Sequence, residues 1–158
     1  MINLIKEIEI SNRKYAEKVL NIQKLAYQVE AKLIDSDDIP PLKDTVETLQ
    51  QCGEIFYGYF SKEELCGVIS IKIETNEIDI HRLFVHPNHF KKGIAQSLLN
   101  VIESTSNAET IKVATGSKNI PAVNLYKKNG FEYVKEITVK EQLSLTFFKK
   151  ESKFHHTD

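Results

Sequence analysis

Tryptophan is absent, methionine occurs once, and cysteine is limited to Cys52 and Cys66 in a chain of 158 residues. Two thiols cannot form a disulfide framework, and neither sits in a CxxC or Cys/His spacing that builds a zinc site. Both read as reduced, packed thiols, and no metal is expected. No apolar run approaches the ~20 residues that span a bilayer, so no membrane partner is expected. The start, Met1 to Glu7, lacks the basic-then-apolar order of a secretory signal, which predicts a cytoplasmic protein. Charge of neither sign dominates: 21 Lys and Arg face 22 Asp and Glu, for a formal net charge of -1. That balance removes the broad positive field on which nonspecific nucleic-acid binding relies, so no nucleic-acid partner is expected. Internal repeats and low-complexity linkers are also missing.

What is present fits one water-soluble domain. Hydrophobic residues make up 41% and charged residues 27%, close to ordinary globular usage. The length suits one core and is short for two. The reading is a single domain over residues 1–150 followed by a polar tail, 151–158, in which His155-His156 is too short a tract for a metal site.

The order of elements is legible from period and punctuation. Leu4 to Ile10 alternates roughly as a strand, and Ser11-Asn12 is positioned to cap a helix. From Arg13 to Ile34, Tyr15, Val19, Ile22, Ala26, Val29 and Leu33 recur every three or four residues, which predicts a helix packing by that stripe. Asp35 to Pro41 breaks the helix before a shorter helical segment at Thr45 to Gln51. Ile55 to Phe60, Leu65 to Glu74 and Ile78 to Val85 read as strands with short connections, hence an antiparallel meander. A helix follows in which Ile94, Leu98, Val101 and Ile102 share a face. Ile111 to Thr115 reads as a strand, Pro121 to Lys128 as a helix ended by Asn129-Gly130, and Phe131 to Val139 with Leu143 to Phe148 as two closing strands. The fold class is α/β, with a mixed, mainly antiparallel sheet and about four helices.

One segment has a chemistry of its own. The strand ending at Val85 leads through His86-Pro87-Asn88-His89-Phe90 into Lys91-Lys92-Gly93-Ile94-Ala95-Gln96, which opens a helix. Unpaired N–H groups and the positive end of the helix dipole there can bind phosphate oxygens through backbone alone. Gly93 and Ala95 let a ligand approach those groups, while Lys91 and Lys92 add charge suited to a diphosphate. A capped surface helix with solvated lysines is the alternative reading of the same residues.

The stretch Ile78 to Leu99, with its strand, Val-His-Pro turn and Gly-x-Ala loop, resembles motif A of the GNAT acetyltransferases. Asn119-Ile120-Pro121-Ala122-Val123-Asn124-Leu125-Tyr126-Lys127-Lys128-Asn129-Gly130-Phe131 resembles that family's motif B. The likeness is close over the C-terminal two-thirds, and before Ile55 it extends only to element order. Phe90 departs from it, standing where the family usually has Gln or Arg. The resemblance implies a GNAT-like sheet splayed between two central strands, with acetyl-CoA as cofactor in the opening. Its pyrophosphate is expected on Lys91, Lys92, Gly93, Ile94, Ala95 and Gln96, and its pantetheine arm on the backbone of Leu83, Phe84 and Val85. The thioester carbonyl is expected near the Leu83 amide. Asn119 is implied as a cofactor contact or as a plain helix cap.

The implied reaction is acetyl transfer to a primary amine by direct attack in a ternary complex. Tyr126 matches the tyrosine that in this family approaches the coenzyme sulfur, so it is the candidate acid as well as a cofactor contact. Ala122, Val123 and Leu125 around it also allow an aromatic that simply packs. His81 and Asp79 share a strand face opposite Ile78, Ile80 and Arg82. The resemblance implies that one of the two activates the acceptor: His81 as base, with its intrinsic pKa near ~6.5, and Asp79 as its orienter or as the alternative base. His86 and His89 are expected to shape the turn. A non-catalytic acyl-CoA-binding sensor remains the alternative function. Glu30, Asp35, Asp37 and Asp38 form either an acidic rim for a cationic small-molecule or peptide amine or a solvated turn. Homodimers are common among the family's members, and Leu143 to Phe148 either pairs across such an interface or lies inside its own sheet.

Overall fold

The computed structural model describes residues 3–35, 39–105, 107–140 and 143–151. Asp37, Asp38 and the tail beyond Glu151, including His155-His156, lie outside the described residues. The chain runs β1 (Asn3–Ile8), α1 (Arg13–Leu33), a 3-10 turn (Pro40–Lys43), α2 (Val46–Gln51), β2 (Ile55–Ser61), β3 (Glu64–Glu74) and β4 (Glu77–Val85). After a second 3-10 turn come α3 (Ile94–Thr105), β5 (Thr110–Gly116), α4 (Ile120–Lys128), β6 (Glu132–Lys140) and β7 (Leu143–Glu151). Among the described residues the strands form one sheet in the order β1-β2-β3-β4-β5-β7-β6. Only β4 and β5 pair in parallel there, the other neighbours being antiparallel. The expected α/β architecture, its meander and its four helices are all present, and Glu151 belongs to β7 rather than to a tail.

The sheet is covered on both faces at its centre. Leu65 to Ile71 of β3 are all buried, because Cys66, Ile69 and Ile71 pack in a core with α3 while Leu65 and Val68 pack in a second core under α1. A strand covered twice reads as a continuous apolar run instead of alternating. Gly67 docks α3 at its first residue: a Cβ there would lie 2.8 Å from Ile94 Cγ2 and 3.2 Å from the Phe84 carbonyl. The helix start that precedes the site is thereby held close to the sheet.

Helix α1 is capped by the Asn12 side chain, which accepts from the Lys14 amide at 2.9 Å. Its buried face differs from the predicted stripe. Ala16, Val19, Ile22, Gln23, Ala26, Tyr27 and Ala31 are buried, while Tyr15 and Leu33 remain 39% and 47% exposed. The rotation brings Tyr27 edge-on to Phe84, with ring centroids 5.6 Å apart. It also lets Gln23 donate to the Pro41 carbonyl at 2.9 Å and to Asp44 Oδ2 at 2.7 Å, tying down the segment after α1.

Strand β7 pairs with β5 on one side and β6 on the other, so Leu143 to Phe148 lies inside its own sheet. The outer strand on this side is β6, whose residues are all exposed.

Candidate functional site

The site begins where two central strands part. Strands β4 and β5 pair from Glu77↔Thr110 to Ile80↔Val113 and no further. Beyond that point the backbone of Leu83 to Val85 has its β5-side edge open, since its β3-side partners are Ile69 to Gly67. A β-bulge accompanies the parting: Ser70 faces Arg82 and the next residue, Ile71, faces Ile80, leaving His81 as the extra residue of β4. A bulge reverses which way the following side chains point. Ile78 and Ile80 belong to the α3 core whereas Phe84 belongs to the α1 core. Arg82 is turned with Phe84, its guanidinium 5.6 Å from the Phe56 ring centroid. The expected grouping of Arg82 with Ile78 and Ile80 is therefore corrected by the bulge.

On one side of the parting lies a cleft of about 480 Å³. Its floor includes Leu83, Phe84 and Val85, and one end is the turn Lys91, Gly93, Ile94, Ala95 and Gln96. Lys91 and Gly93 have φ of 63° and 77°, which folds the main chain into a concave turn just ahead of α3. A Cβ at Gly93 would meet nothing within 4 Å, so the glycine leaves open space in front of the helix start. The amides of Ile94 to Gln96 have no acceptor within the helix, while Ser97 N bonds the Gly93 carbonyl at 3.0 Å.

The turn is braced by its histidines, as expected. His86 Nδ1 accepts from Asn88 N at 3.0 Å, and His89 Nδ1 lies 3.3 Å from Lys92 Nζ. Lys92 is thus directed to His89 and does not line the cleft. The Gln96 side chain is likewise engaged, exchanging hydrogen bonds of 2.7 and 2.9 Å with Asn129 at the end of α4. What Gln96 offers the cleft is its backbone.

A smaller cavity of about 220 Å³ lies on the other side, with His81 and Arg82 in its wall. The two spaces share Tyr27, Glu30, Leu83, Asn119, Ala122 and Tyr126. Tyr126 is 4% exposed and packs near the Phe131 and Phe148 rings, at centroid distances of 5.4 and 6.0 Å. It is both a core aromatic and a wall of the junction. Burial first, and the nearby Glu30 second, push its phenol above the ordinary range. Asn119 caps α4, accepting from the Ala122 amide at 3.3 Å, and it lies close enough to Glu30 to counter the upward push of burial on that carboxyl. Burial raises the Tyr27 phenol, with the nearby backbone of Leu83 acting against it.

His81 is held between two carboxylates: Nδ1 is 3.3 Å from Glu54 Oε2 and Nε2 is 3.4 Å from Asp79 Oδ2. Asp79 lines neither cavity and reaches the site through His81. Burial raises the Asp79 carboxyl, against the pull of His81 and Lys112. Glu54 has a side chain only 6% exposed, and it accepts from Ser70 Oγ at 2.6 Å and from Arg82. Arg82 Nη2 also donates to Asp44 Oδ2 at 3.0 Å. For Asp44, burial acts upward, but bonds from Arg82, Gln23 and Thr48 outweigh it and hold the carboxyl low.

Residues 36–152, well over half of the chain, match the family model described as Acetyltransferase (GNAT) domain. The chain belongs to the GNAT acetyltransferase family. It is 36% identical over 146 residues to UPF0157 protein YqkA of Bacillus subtilis, covering 92% of this chain and 43% of that one. It is 34% identical over 95 residues to the uncharacterized N-acetyltransferase YvbK of the same organism, covering 58% of this chain and 61% of that protein. The chain thus spans about half the length of these curated relatives. The GNAT fold is shown by solved structures. The ribosomal-protein-S18-alanine N-acetyltransferase of Escherichia coli superposes with a TM-score of 0.76 at 13% identity, over 95% of this chain and 94% of that one. The PaiA N-acetyltransferase of Thermoplasma acidophilum, in complex with coenzyme A, gives 0.72 at 19% identity, over 96% and 99%.

Within this GNAT domain, Leu83, Phe84, Val85, Lys91, Gly93, Ile94, Ala95, Gln96, Asn119 and Tyr126 all line one cleft. One carboxylate beside the site escaped the sequence reading and another was grouped with the wrong neighbours. Glu54 precedes β2 without any pattern to mark it, and its link to His81 arises only when β3 sets β2 and β4 within reach. Glu30 was grouped with Asp35, Asp37 and Asp38 as one rim, yet Asp35 is exposed and lines neither cavity. Glu30 alone of the described members faces the junction.

Proposed function

We propose that this chain transfers an acetyl group from acetyl-CoA to a primary amine, with both bound at once on opposite sides of the parted strands. The observation that carries the reading is the junction: a long cleft ending on a left-handed turn and a second cavity beside His81 share Leu83, Asn119 and Tyr126. Relatives named as N-acetyltransferases support it.

The residues present fit coenzyme A. The open cradle before Gly93 and the amides of Ile94 to Gln96 suit a diphosphate, with Lys91 adding positive charge. The free edge of Leu83 to Val85 suits the amide-bearing pantetheine arm, as an added strand would pair. When bound, this group supplies an acetyl carbon activated as a thioester.

The chain's own residues manage the protons. An ammonium must lose a proton before it attacks, and His81 is placed in the acceptor-side wall to take one at a ring nitrogen. Glu54 holds the ring at Nδ1, so Nε2 is the nitrogen proposed to take the proton, and Asp79 beside it steadies the charge that forms. Tyr126 keeps its proton on Oη at neutral pH, because burial disfavours the phenolate, and it can give that proton up on the cofactor side. The Leu83 amide, in the stretch of β4 past its pairing with β5, is the proposed donor to the growing oxyanion.

A thermal-shift and thiol-release screen with acetyl-CoA and a panel of amines tests this reading. Stabilisation by acetyl-CoA together with amine-dependent thiol release is expected. Neither stabilisation nor release from correctly folded protein overturns it.

A further inference from the structure

Glu30 is the acidic side chain that lines both cavities among the described residues. It sits half-buried on α1 at the junction, with Asn119 beside it and no cation paired with it among the described residues. The charged groups that share its walls are engaged or distant in role. Arg82 on β4 is clamped by Asp44 and Glu54, and His81 lies between Glu54 and Asp79. His89, Lys91 and Lys128 belong to the cofactor cleft alone. Tyr27 and Tyr126 face Glu30 as neutral phenols, both pushed up by burial. A partly desolvated carboxyl so placed either holds a proton or pairs with a cation that a ligand brings.

Past Glu30 the smaller cavity turns apolar, with Ile34, Ile39, Pro40, Val113, Leu143 and Leu145 among its described walls. A second cationic group on the acceptor would meet Arg82 and His81 there, not another described carboxylate. At about 220 Å³ the space is below the roughly 300–1,000 Å³ of a drug-sized site, so it suits a short arm.

We infer that Glu30 receives the acceptor's ammonium and that the acceptors are primary amines borne on a short apolar arm, an inference that rests on the acetyl-transfer function proposed above. Burial raises the Glu30 carboxyl to about 7, with the Asn119 side chain acting against it. Capture of an ammonium therefore strengthens as pH rises through neutrality and the carboxyl ionises.

The test is calorimetric titration with 2-phenylethylamine, with the tripeptide Phe-Gly-Gly and with spermidine, run with and without CoA on wild type, Glu30→Gln and Glu30→Asp. CoA is titrated separately on each protein, so a failure to bind CoA counts against the proposed function and not against this assignment. Expected is binding of 2-phenylethylamine that tightens from pH 6 to pH 8, weakens about 10- to 100-fold in Glu30→Gln, and recovers partly in Glu30→Asp. Spermidine should bind more weakly than 2-phenylethylamine, and the tripeptide arm separates a free amine from a peptide α-amine as the source. Equal amine affinity in wild type and Glu30→Gln, no amine binding to wild type, or a preference for spermidine overturns the inference.

Discussion

Two glutamates near the junction of the cavities, Glu30 lining it and Glu54 behind His81, sit under opposite conditions. Glu54 is buried among Arg82, Ser70 and His81, and every contact it makes is answered within the fold. Glu30 is half-buried beside Asn119, with no cation partner among the described residues. The first arrangement fixes geometry: it locks the bulged segment of β4 and one side of the His81 ring. The second places a carboxyl, readily protonated, at the point where two cavities meet. A satisfied carboxylate reads as scaffold, and an unsatisfied one at a cavity junction reads as a place for a ligand.

The strongest way to break the contrast is to make Glu54 resemble Glu30. Arg82→Ala leaves Glu54 and Asp44 buried without their cation, and the loss expected for breaking such a pair is about 3–5 kcal/mol, read as a lowered urea midpoint. A change below 1 kcal/mol would show that the cluster is not what holds the bulge. Next in size, Tyr126→Phe keeps the packing against Phe131 and Phe148 but removes the proton at Oη. Turnover at saturating acetyl-CoA should fall about 100-fold or more while calorimetric CoA affinity stays within about twofold. Full turnover would return Tyr126 to the role of a core aromatic. A smaller effect is expected at the cradle. Gly93→Val forces a branched side chain to φ near 77°, costing of order 1–3 kcal/mol, and fills the open space ahead of α3. CoA affinity should drop about tenfold, measured by calorimetry.

The smallest effect sharpens the comparison from the other side. The Glu30 carboxyl is raised from 4.5 to about 7 by burial, so the folded state holds a proton that the unfolded chain gives up. Stability is lost as pH rises from about 4.5 through about 7, and the penalty persists above that. Glu30→Gln, free of this penalty, should melt higher than wild type at pH 8, by about 2–4 °C per kcal/mol relieved, and equally at pH 4. A lower melting temperature at pH 8 would mean that the charged form is favoured in the fold.

Most of the architecture could be read before any coordinates, because periodicity and turn residues are local signals. The meander of β2, β3 and β4, the helix opening at Gly93 and the cap at Asn119 all rest on such signals. What escaped depends on distant parts of the chain. Nothing in Ile-Asp-Ile-His-Arg-Leu-Phe marks His81 as a bulge residue, since no glycine or proline interrupts it, and the bulge is what moves Arg82 to the other face. Val19, Ile22 and Ala26 of the expected α1 stripe are buried, but the buried face extends to Gln23, a polar residue that bonds Pro41 and Asp44. Tyr15 and Leu33 carry apolar surface that no element covers among the described residues. Glu54 and Glu30 acquire their meaning only from what the sheet and α4 bring near them.

The central claim is that the parted strands and the turn before α3 form one continuous seat for acetyl-CoA, ending at Tyr126. Amide hydrogen exchange measured with and without acetyl-CoA tests it directly. The account predicts slowed exchange at Leu83 to Val85 and at Gly93 to Gln96 together, with the outer strand β6 unchanged. Binding of acetyl-CoA that leaves both segments unprotected would contradict it.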